Sequence, residues 1–260
     1  MAASLHLGLW QSAGTPGDIT ANLAEVRRAA DEAASAGVEL LVLPECFLTG
    51  YFTDGDVAET AQRVGRQVHE DLASVAASTG VALVVGSYES DGAHVYNSAF
   101  VILPDTGLAG TYRKRALFGT WERAVFTPGR APFLFDYKGV RIGLNICYDI
   151  EFPERVRELA LGGADVVLCP TAVMAPYDMV PRHIVPARAF ENHLFVAYAN
   201  RIGVEGPYAF IGQSRIADPL GRVSAAAGAE PALVHAVLDM ALRDTARADY
   251  DYLSDLAHQE

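Results

Sequence analysis

Lysine is nearly missing from this chain: of 20 Lys and Arg residues only Lys114 and Lys138 are lysines, and 32 Asp and Glu outnumber the cations to give a formal net charge of -12. A surface with that balance does not release the counterions of a phosphate backbone, so nucleic acid is excluded as a partner. Cysteine is scarce too. Cys46, Cys147 and Cys169 form no CxxC pair, and no His ladder accompanies them, which rules out a disulfide framework and a zinc site of the usual spacing. No metal and no cofactor is expected, and a reducing, cytoplasmic compartment fits best. The first residues, MAASLHLGLWQSAG, lack the basic stretch and sustained apolar core of a signal peptide. No apolar run approaches the roughly 20 residues that cross a bilayer, so no membrane is expected. Repeats, low-complexity tracts and linkers are absent as well. Residues 1–260 therefore read as one domain, with a polar stretch from about 240 onward as a tail that packs on the body or on a partner subunit.

What is present is an alternation of helical and buried-strand patterns. Leu5 to Trp10 alternates as a strand. A helix follows from about Asp18 to Ala36, with Ile19, Leu23, Val26 and Ala30 on its apolar face and Gly37 as its stop. Val38 to Leu43 is a continuous apolar run, the pattern of a strand covered on both faces. A second helix from about Val57 to Ser78 leads through Gly80 into Val81 to Gly86, repeating the unit. Val95 to Leu103 and Leu108 to Tyr112 form a hairpin about Pro104-Asp105-Thr106-Gly107. Ala116 to Arg130 has no period and reads as a long loop. Phe133 to Tyr137 and Val140 to Ile146 form another hairpin, followed by a helix at Pro153 to Leu161 and a strand at Asp165 to Cys169. A helix over Pro181 to Asn192 and strands at Leu194 to Ala199, Tyr208 to Ile216 and Leu233 to Leu238 complete the order. The sum is a layered α/β fold.

The stretch Val140 to Glu154, VRIGLNICYDIEFPE, carries the chemistry. Val140, Ile142, Leu144 and Ile146 alternate with polar or small residues, and the strand delivers Cys147 to a turn before Pro153 opens a helix. Glu45, Lys114 and Cys147 each stand just beyond a strand, and strand ends at one edge of an α/β sheet converge on one site. A thiol that attacks, a carboxylate that takes its proton and an ammonium that stabilises the resulting oxyanion make a nucleophilic set. A glutamate of ordinary pKa, about 4.3, is too weak a base for a thiol near 8.5; either burial raises the carboxyl or Lys114 lowers the thiol. Each residue alone has a plainer reading: an inert buried thiol, an edge carboxylate, a solvated cation in the run Arg113-Lys114-Arg115. Together the three outweigh it.

Three ordered motifs, LPECFLTGY (Leu43 to Tyr51), YRKRALF (Tyr112 to Phe118) and NICYDIEFPE (Asn145 to Glu154), resemble those of carbon–nitrogen hydrolases of the nitrilase superfamily, in the amidase-like branch. ARAFENHLFVAYANRIG, Gly212-Gln213-Ser214 and Asp218-Pro219 extend the likeness over nearly the whole chain. The resemblance implies a four-layer αββα sandwich that assembles into dimers or larger homo-oligomers. It further implies Glu45 as general base, Lys114 as oxyanion partner, Cys147 as nucleophile, and Glu122 of WERAVF as a fourth member that positions the substrate amide. The backbone N–H of Tyr148 would complete the oxyanion site. Tyr after the nucleophile, where full nitrilases carry tryptophan, favours a small amide over a nitrile; N-carbamoyl amines remain the other substrate class within the superfamily.

Phe118, Trp121, Phe126, Tyr148 and Met174 are the candidate walls of an apolar substrate pocket, each with a core role as its plainer alternative. Cys46 neighbours Glu45 and points to the opposite face, so it is packed away, and Cys169 belongs to a core strand. His183 and His193 raise the alternative of a Cys–His protease, but the usual context around such a cysteine is absent. A catalytically silent interaction module would be expected to have lost one of the three reactive residues.

Overall fold

The computed structural model of the protein describes residues 3–53, 55–248 and 250–258. The first part of the chain forms β1 (Ser4–Gln11), α1 (Ile19–Ser35), β2 (Leu40–Val42), α2 (Val57–Arg63), α3 (Arg66–Thr79), β3 (Ala82–Ser90), β4 (Val95–Leu103) and β5 (Gly107–Arg113). Then come α4 (Gly119–Val125), β6 (Leu134–Tyr137), β7 (Val140–Leu144), α5 (Pro153–Leu161), β8 (Val166–Thr171), α6 (Val185–Asn192), β9 (Phe195–Asn200), β10 (Ile202–Glu205) and β11 (Tyr208–Ile211). The chain ends through β12 (Arg215–Ala217), β13 (Val223–Ala226), β14 (Ala232–Asp239), α7 (Ala241–Arg247) and α8 (Tyr252–Ala257).

Two six-stranded sheets result, in the orders β14-β1-β2-β3-β4-β5 and β13-β12-β9-β8-β7-β6, with β10-β11 as a separate ribbon. In each large sheet three central strands run parallel, β1-β2-β3 and β7-β8-β9, and antiparallel strands flank them. The period-two pattern decides which face each residue joins. Leu5, Leu7 and Leu9 of β1 meet Ile142, Leu144 and Leu168 of the other sheet in a core between the sheets. Leu41, Leu83 and Val85 point the other way, onto Val26, Ala29 and Ala30 of α1 and Leu72 and Val75 of α3. On the far side Val167 and Val196 pack beneath Val156 and Leu159 of α5 and Ala189 of α6. The architecture is the four-layer αββα sandwich. Each fully buried leucine contributes about 2 kcal/mol of transfer free energy, which is why three leucines in alternate positions fix the register of β1.

The structure departs from the sequence pattern in a few places. The long helix expected from Val57 to Ser78 is two: the backbone leaves the helix at Val64 (φ -86, ψ 74), and α3 restarts after Gly65. The expected loop from Ala116 to Arg130 contains α4, seven residues that the aperiodic sequence conceals. Tyr208 to Ile216 divides into β11 and β12 because Gly212 and Gln213 both adopt positive φ between them. The tail lies on the body: Tyr252 stacks on the buried His193 ring at 5.2 Å, and Arg243 pairs with Asp165 and donates to the His193 carbonyl at 3.2 Å.

Topology puts three strand ends together. β4 is antiparallel to β3 and β5 antiparallel to β4, so β5 runs in the same sense as β2 and β3, and its C-terminal end lies at the same edge. The Glu45 N–H donates to the Thr171 carbonyl at 3.3 Å, joining the loop after β2 to the end of β8 in the opposite sheet. Glu45, Lys114 and Cys147 stand at that joined edge.

Candidate active site

The segment after β2 is held rigidly. Cys46 has φ +51 and is fully buried, so the chain turns sharply and Cys46 packs among Tyr51, Tyr88 and Phe126, as expected of a residue turned from the site. Arg201, also fully buried, donates to the carbonyls of Glu45 and Cys46 at 3.3 and 3.2 Å and pairs with Glu205. Glu205 in turn accepts from the N–H groups of Tyr51 and Phe52 at 2.7 and 2.9 Å. One buried ion pair therefore fixes both ends of the segment that carries Glu45 and Tyr51.

Cys147 begins a 3-10 turn (Cys147–Glu151) with φ +46. A left-handed residue with a side chain is strained by about 1–2 kcal/mol, so the surroundings must impose it. Asp149 is a main contributor: its carboxylate accepts from the Ile146 N–H at 3.0 Å, the Tyr112 hydroxyl at 2.8 Å and the Ala116 N–H at 2.8 Å. Through it the cysteine turn is tied to the residues on either side of Lys114. The first N–H groups of a helical turn have no acceptor within that turn, and Tyr148 N–H is one of them.

The Lys114 ammonium, 1% exposed, donates to Glu45 Oε1 at 2.7 Å and to Glu122 Oε1 at 2.7 Å. Asn97 adds a bond to the same Glu45 oxygen at 2.7 Å, while Glu45 Oε2 is buried without a hydrogen-bond partner. Of three ammonium protons two are committed, leaving one. Glu122 faces the ammonium as anticipated, but its other expected face, toward a substrate amide, is not open. It has no exposed surface, its Oε1 also accepts the Tyr51 hydroxyl at 2.7 Å, and its Oε2 accepts the Phe118 N–H at 2.7 Å. Three of about four acceptor positions are occupied by protein donors.

Burial raises the Glu45 carboxyl above its ordinary range, with Lys114 opposing and Glu122 reinforcing the shift. Burial would discharge Lys114, but Glu122 and Glu45 outweigh it and hold the ammonium charged. The Cys147 thiol is pushed well up by burial and by Glu45; Lys114 and the Ala172 N–H pull it down without prevailing. Of the two routes open to the sequence argument, the carboxyl does rise, and the thiol is not lowered.

A cavity of about 190 Å³ opens over Cys147, which is 8% exposed, and Tyr51, Phe118, Tyr148, Glu151, Val173, Met174 and Tyr177 complete its wall. Phe118, Tyr148 and Met174 are thus where the sequence placed them. Trp121 and Phe126 are not on the wall. α4 turns Trp121 onto the rings of Tyr51 (5.5 Å), Phe52 (5.3 Å) and Phe126 (5.6 Å), and Phe126 onto Tyr88 (5.1 Å), so both back the wall from behind Tyr51. Sequence reasoning missed Tyr51, Glu151 and Tyr177, and the supporting Asn97, Asp149, Arg201 and Glu205. Tyr51, Asp149, Glu151 and Arg201 all lie inside the quoted motifs, which was the available signal. His183 is exposed and His193 lies under Tyr252, so among the described residues no histidine reaches Cys147 and the Cys–His alternative lapses. The described residues contain no cluster of His, Cys, Asp and Glu suited to a metal, and no helix long and apolar enough to cross a membrane.

Residues 6–248 match the family described as carbon-nitrogen hydrolase. The chain belongs to that family. An (R)-stereoselective amidase from a Pseudomonas species is 38% identical over 253 residues, covering 96% of this chain and 91% of the relative. A nitrilase from Pyrococcus abyssi is 42% identical over 206 residues, 78% of this chain and 77% of that one. Among solved structures, an amidase from Nesterenkonia sp. AN1 superimposes with a TM-score of 0.87 at 34% identity, covering 96% of each chain; that structure is of a glutamate-to-glutamine variant with acrylamide added at the active-site cysteine. Fold and sequence together place this carbon–nitrogen hydrolase with the nitrilase-superfamily amidases.

Proposed function

We propose that this hydrolase cleaves small carboxamides to a carboxylic acid and ammonia through a thioester on Cys147. The observation that carries the reading is the buried Lys114 ammonium held at 2.7 Å by both Glu45 and Glu122, with one proton left over, at the end of the strand beside the strained Cys147 turn. In this reading the thiol proton passes to the unpartnered Glu45 Oε2 as sulfur attacks the carbonyl carbon. The developing oxyanion is met by the remaining Lys114 proton and the Tyr148 N–H. Collapse breaks the C–N bond, Glu45 returns the proton to the leaving nitrogen, and ammonia departs. Water then attacks the thioester, with Glu45 again taking its proton, and releases the acid and the thiol. Glu122 acts here as a positioning residue: it aims the ammonium and fixes Tyr51 and the Phe118 backbone at the cavity wall.

The cavity, about 190 Å³, is below the roughly 300–1,000 Å³ of pockets for drug-sized ligands, which supports a short acyl group. Amide is favoured over nitrile by Tyr148 beside the nucleophile; N-carbamoyl amines and nitriles are the competing substrates within the family. The test is an ammonia-release survey over aliphatic amides, N-carbamoyl amines and nitriles, joined to mass spectrometry of the quenched enzyme. An acyl adduct on the Cys147 peptide and its absence in Cys147→Ala are expected. An adduct on Cys46 or Cys169 would overturn the assignment, and nitrile turnover exceeding amide turnover would overturn the substrate class.

A further inference from the structure

The wall of the Cys147 cavity carries one charged side chain among the described residues, and its charge is negative. Glu151 ends the 3-10 turn that Cys147 opens, half-buried and lining the same space. The cations nearest it are committed elsewhere. Lys114 is held by Glu45 and Glu122, and Arg188 donates to the carbonyls of Ile150 and Glu151 at 2.9 Å each and to Glu191 Oε1 at 3.0 Å. No donor of the described residues bonds the Glu151 carboxylate. Burial raises its pKa, with Lys114 and Arg188 offsetting part of that rise, so the group gains from a cation brought against it.

Aromatic rings form much of the remaining wall. Phe118 packs edge-on against Tyr148 at 5.3 Å and Tyr177 at 5.8 Å, and Tyr51 lines the same cavity. Ring faces attract cations, the more so where water is scarce. A carboxylate among aromatic rings, with no cation on the wall, is a setting for an alkylammonium. An anionic substrate group would instead meet like charge in a partly desolvated space and find no partner.

We propose that the cavity selects amides whose acyl part bears a protonated amine, that Glu151 is the residue that holds this ammonium, and that amides bearing a carboxylate are rejected. The inference rests on the amidase reading and deepens it. The cavity's size confines the acyl part to a short chain or one small ring.

Three near-isosteric amides at neutral pH test it: β-alaninamide, butyramide and succinamate, which are cationic, neutral and anionic. The wild-type enzyme should favour β-alaninamide over butyramide in kcat/KM by about tenfold or more, with succinamate last. Charge-assisted hydrogen bonds are worth about ten- to a hundredfold, so Glu151→Gln should shrink the β-alaninamide to butyramide ratio by that factor. Glu151→Arg should move the preference toward succinamate. Butyramide turned over as well as β-alaninamide, or a ratio unchanged in Glu151→Gln, overturns the inference while leaving the amidase intact. Ammonia from none of the three overturns the amidase reading and this inference with it.

Discussion

A single methyl group at Gly86 should disable this enzyme from outside its cavity. Gly86 lies in β3 with extended backbone, so its side chain is missing for lack of room. An added Cβ would stand 2.3 Å from the Pro44 carbonyl oxygen, 2.6 Å from Cys46 N and 2.7 Å from Glu45 Cα. All three are backbone atoms, which cannot swing aside. Relieving the shortest contact needs a shift of about 1 Å in the segment that holds Glu45, and a displacement of that size costs on the order of a hundredfold in rate. The same overpacking should destabilise by about 1–3 kcal/mol, or roughly 2–4 °C of Tm per kcal/mol in a chain of this size. The assay is kcat/KM by ammonia release alongside calorimetric melting. Gly228→Ala is the control, because an added Cβ there meets nothing within 4 Å. Gly86→Ala with kcat/KM within about twofold of wild type would refute the claim that the placement of Glu45 is set by this contact.

Lys114→Arg keeps the charge, yet the slot between two carboxylate oxygens at 2.7 Å fits a compact ammonium and not a planar guanidinium; kcat should fall by about a hundredfold to a thousandfold, and near-normal turnover would reduce Lys114 to a mere cation. The pH profile offers a separate check. Because the folded Glu45 carboxyl is raised above its ordinary range and, as the proposed base, must be ionised to act, kcat/KM should rise with pH through that raised value, and an acidic limb in the ordinary glutamate range would contradict Glu45 as the base.

Strand periodicity was strong enough to locate most of the strands along the chain and to suggest one sheet edge for Glu45, Lys114 and Cys147, because residues such as Leu5, Leu7 and Leu9 have only one face on which to be buried; the order of the strands within each sheet was not legible. The helix α4 was not legible. Its seven residues are too few to display a period, and it is held by tertiary packing of Trp121 and by Glu122 under Lys114. Trp121 and Phe126 were misplaced for a related reason: an aromatic residue in a loop gives no sign of whether its ring faces the ligand or the ring behind it. Asp149 and Arg201 went unnoticed since both act on backbone groups, and nothing in a sequence marks which carbonyl or N–H a distant side chain will satisfy.

Under the proposed mechanism, the buried groups also account for how the resting site would resist reacting prematurely. Burial first of all keeps the Cys147 thiol protonated, and Glu45, Glu122 and Lys114, which leave one excess negative charge if both carboxyls are ionised, add to that effect. A buried carboxylate oxygen with no donor, Glu45 Oε2, costs about 1–3 kcal/mol. Protonating that oxygen removes the excess charge and relieves the penalty, so the cluster favours the state in which the proton has left sulfur, provided something accepts the sulfur's electron pair. In the proposed mechanism a carbonyl carbon held over Cys147 would do so, its oxygen drawing on the one uncommitted Lys114 proton. Activation of the thiol and attack on the substrate would then be one event. The strain at Cys147 and the Arg201–Glu205 clamp would serve the same end, since concerted transfer demands that the acceptor oxygen be in place before the substrate arrives.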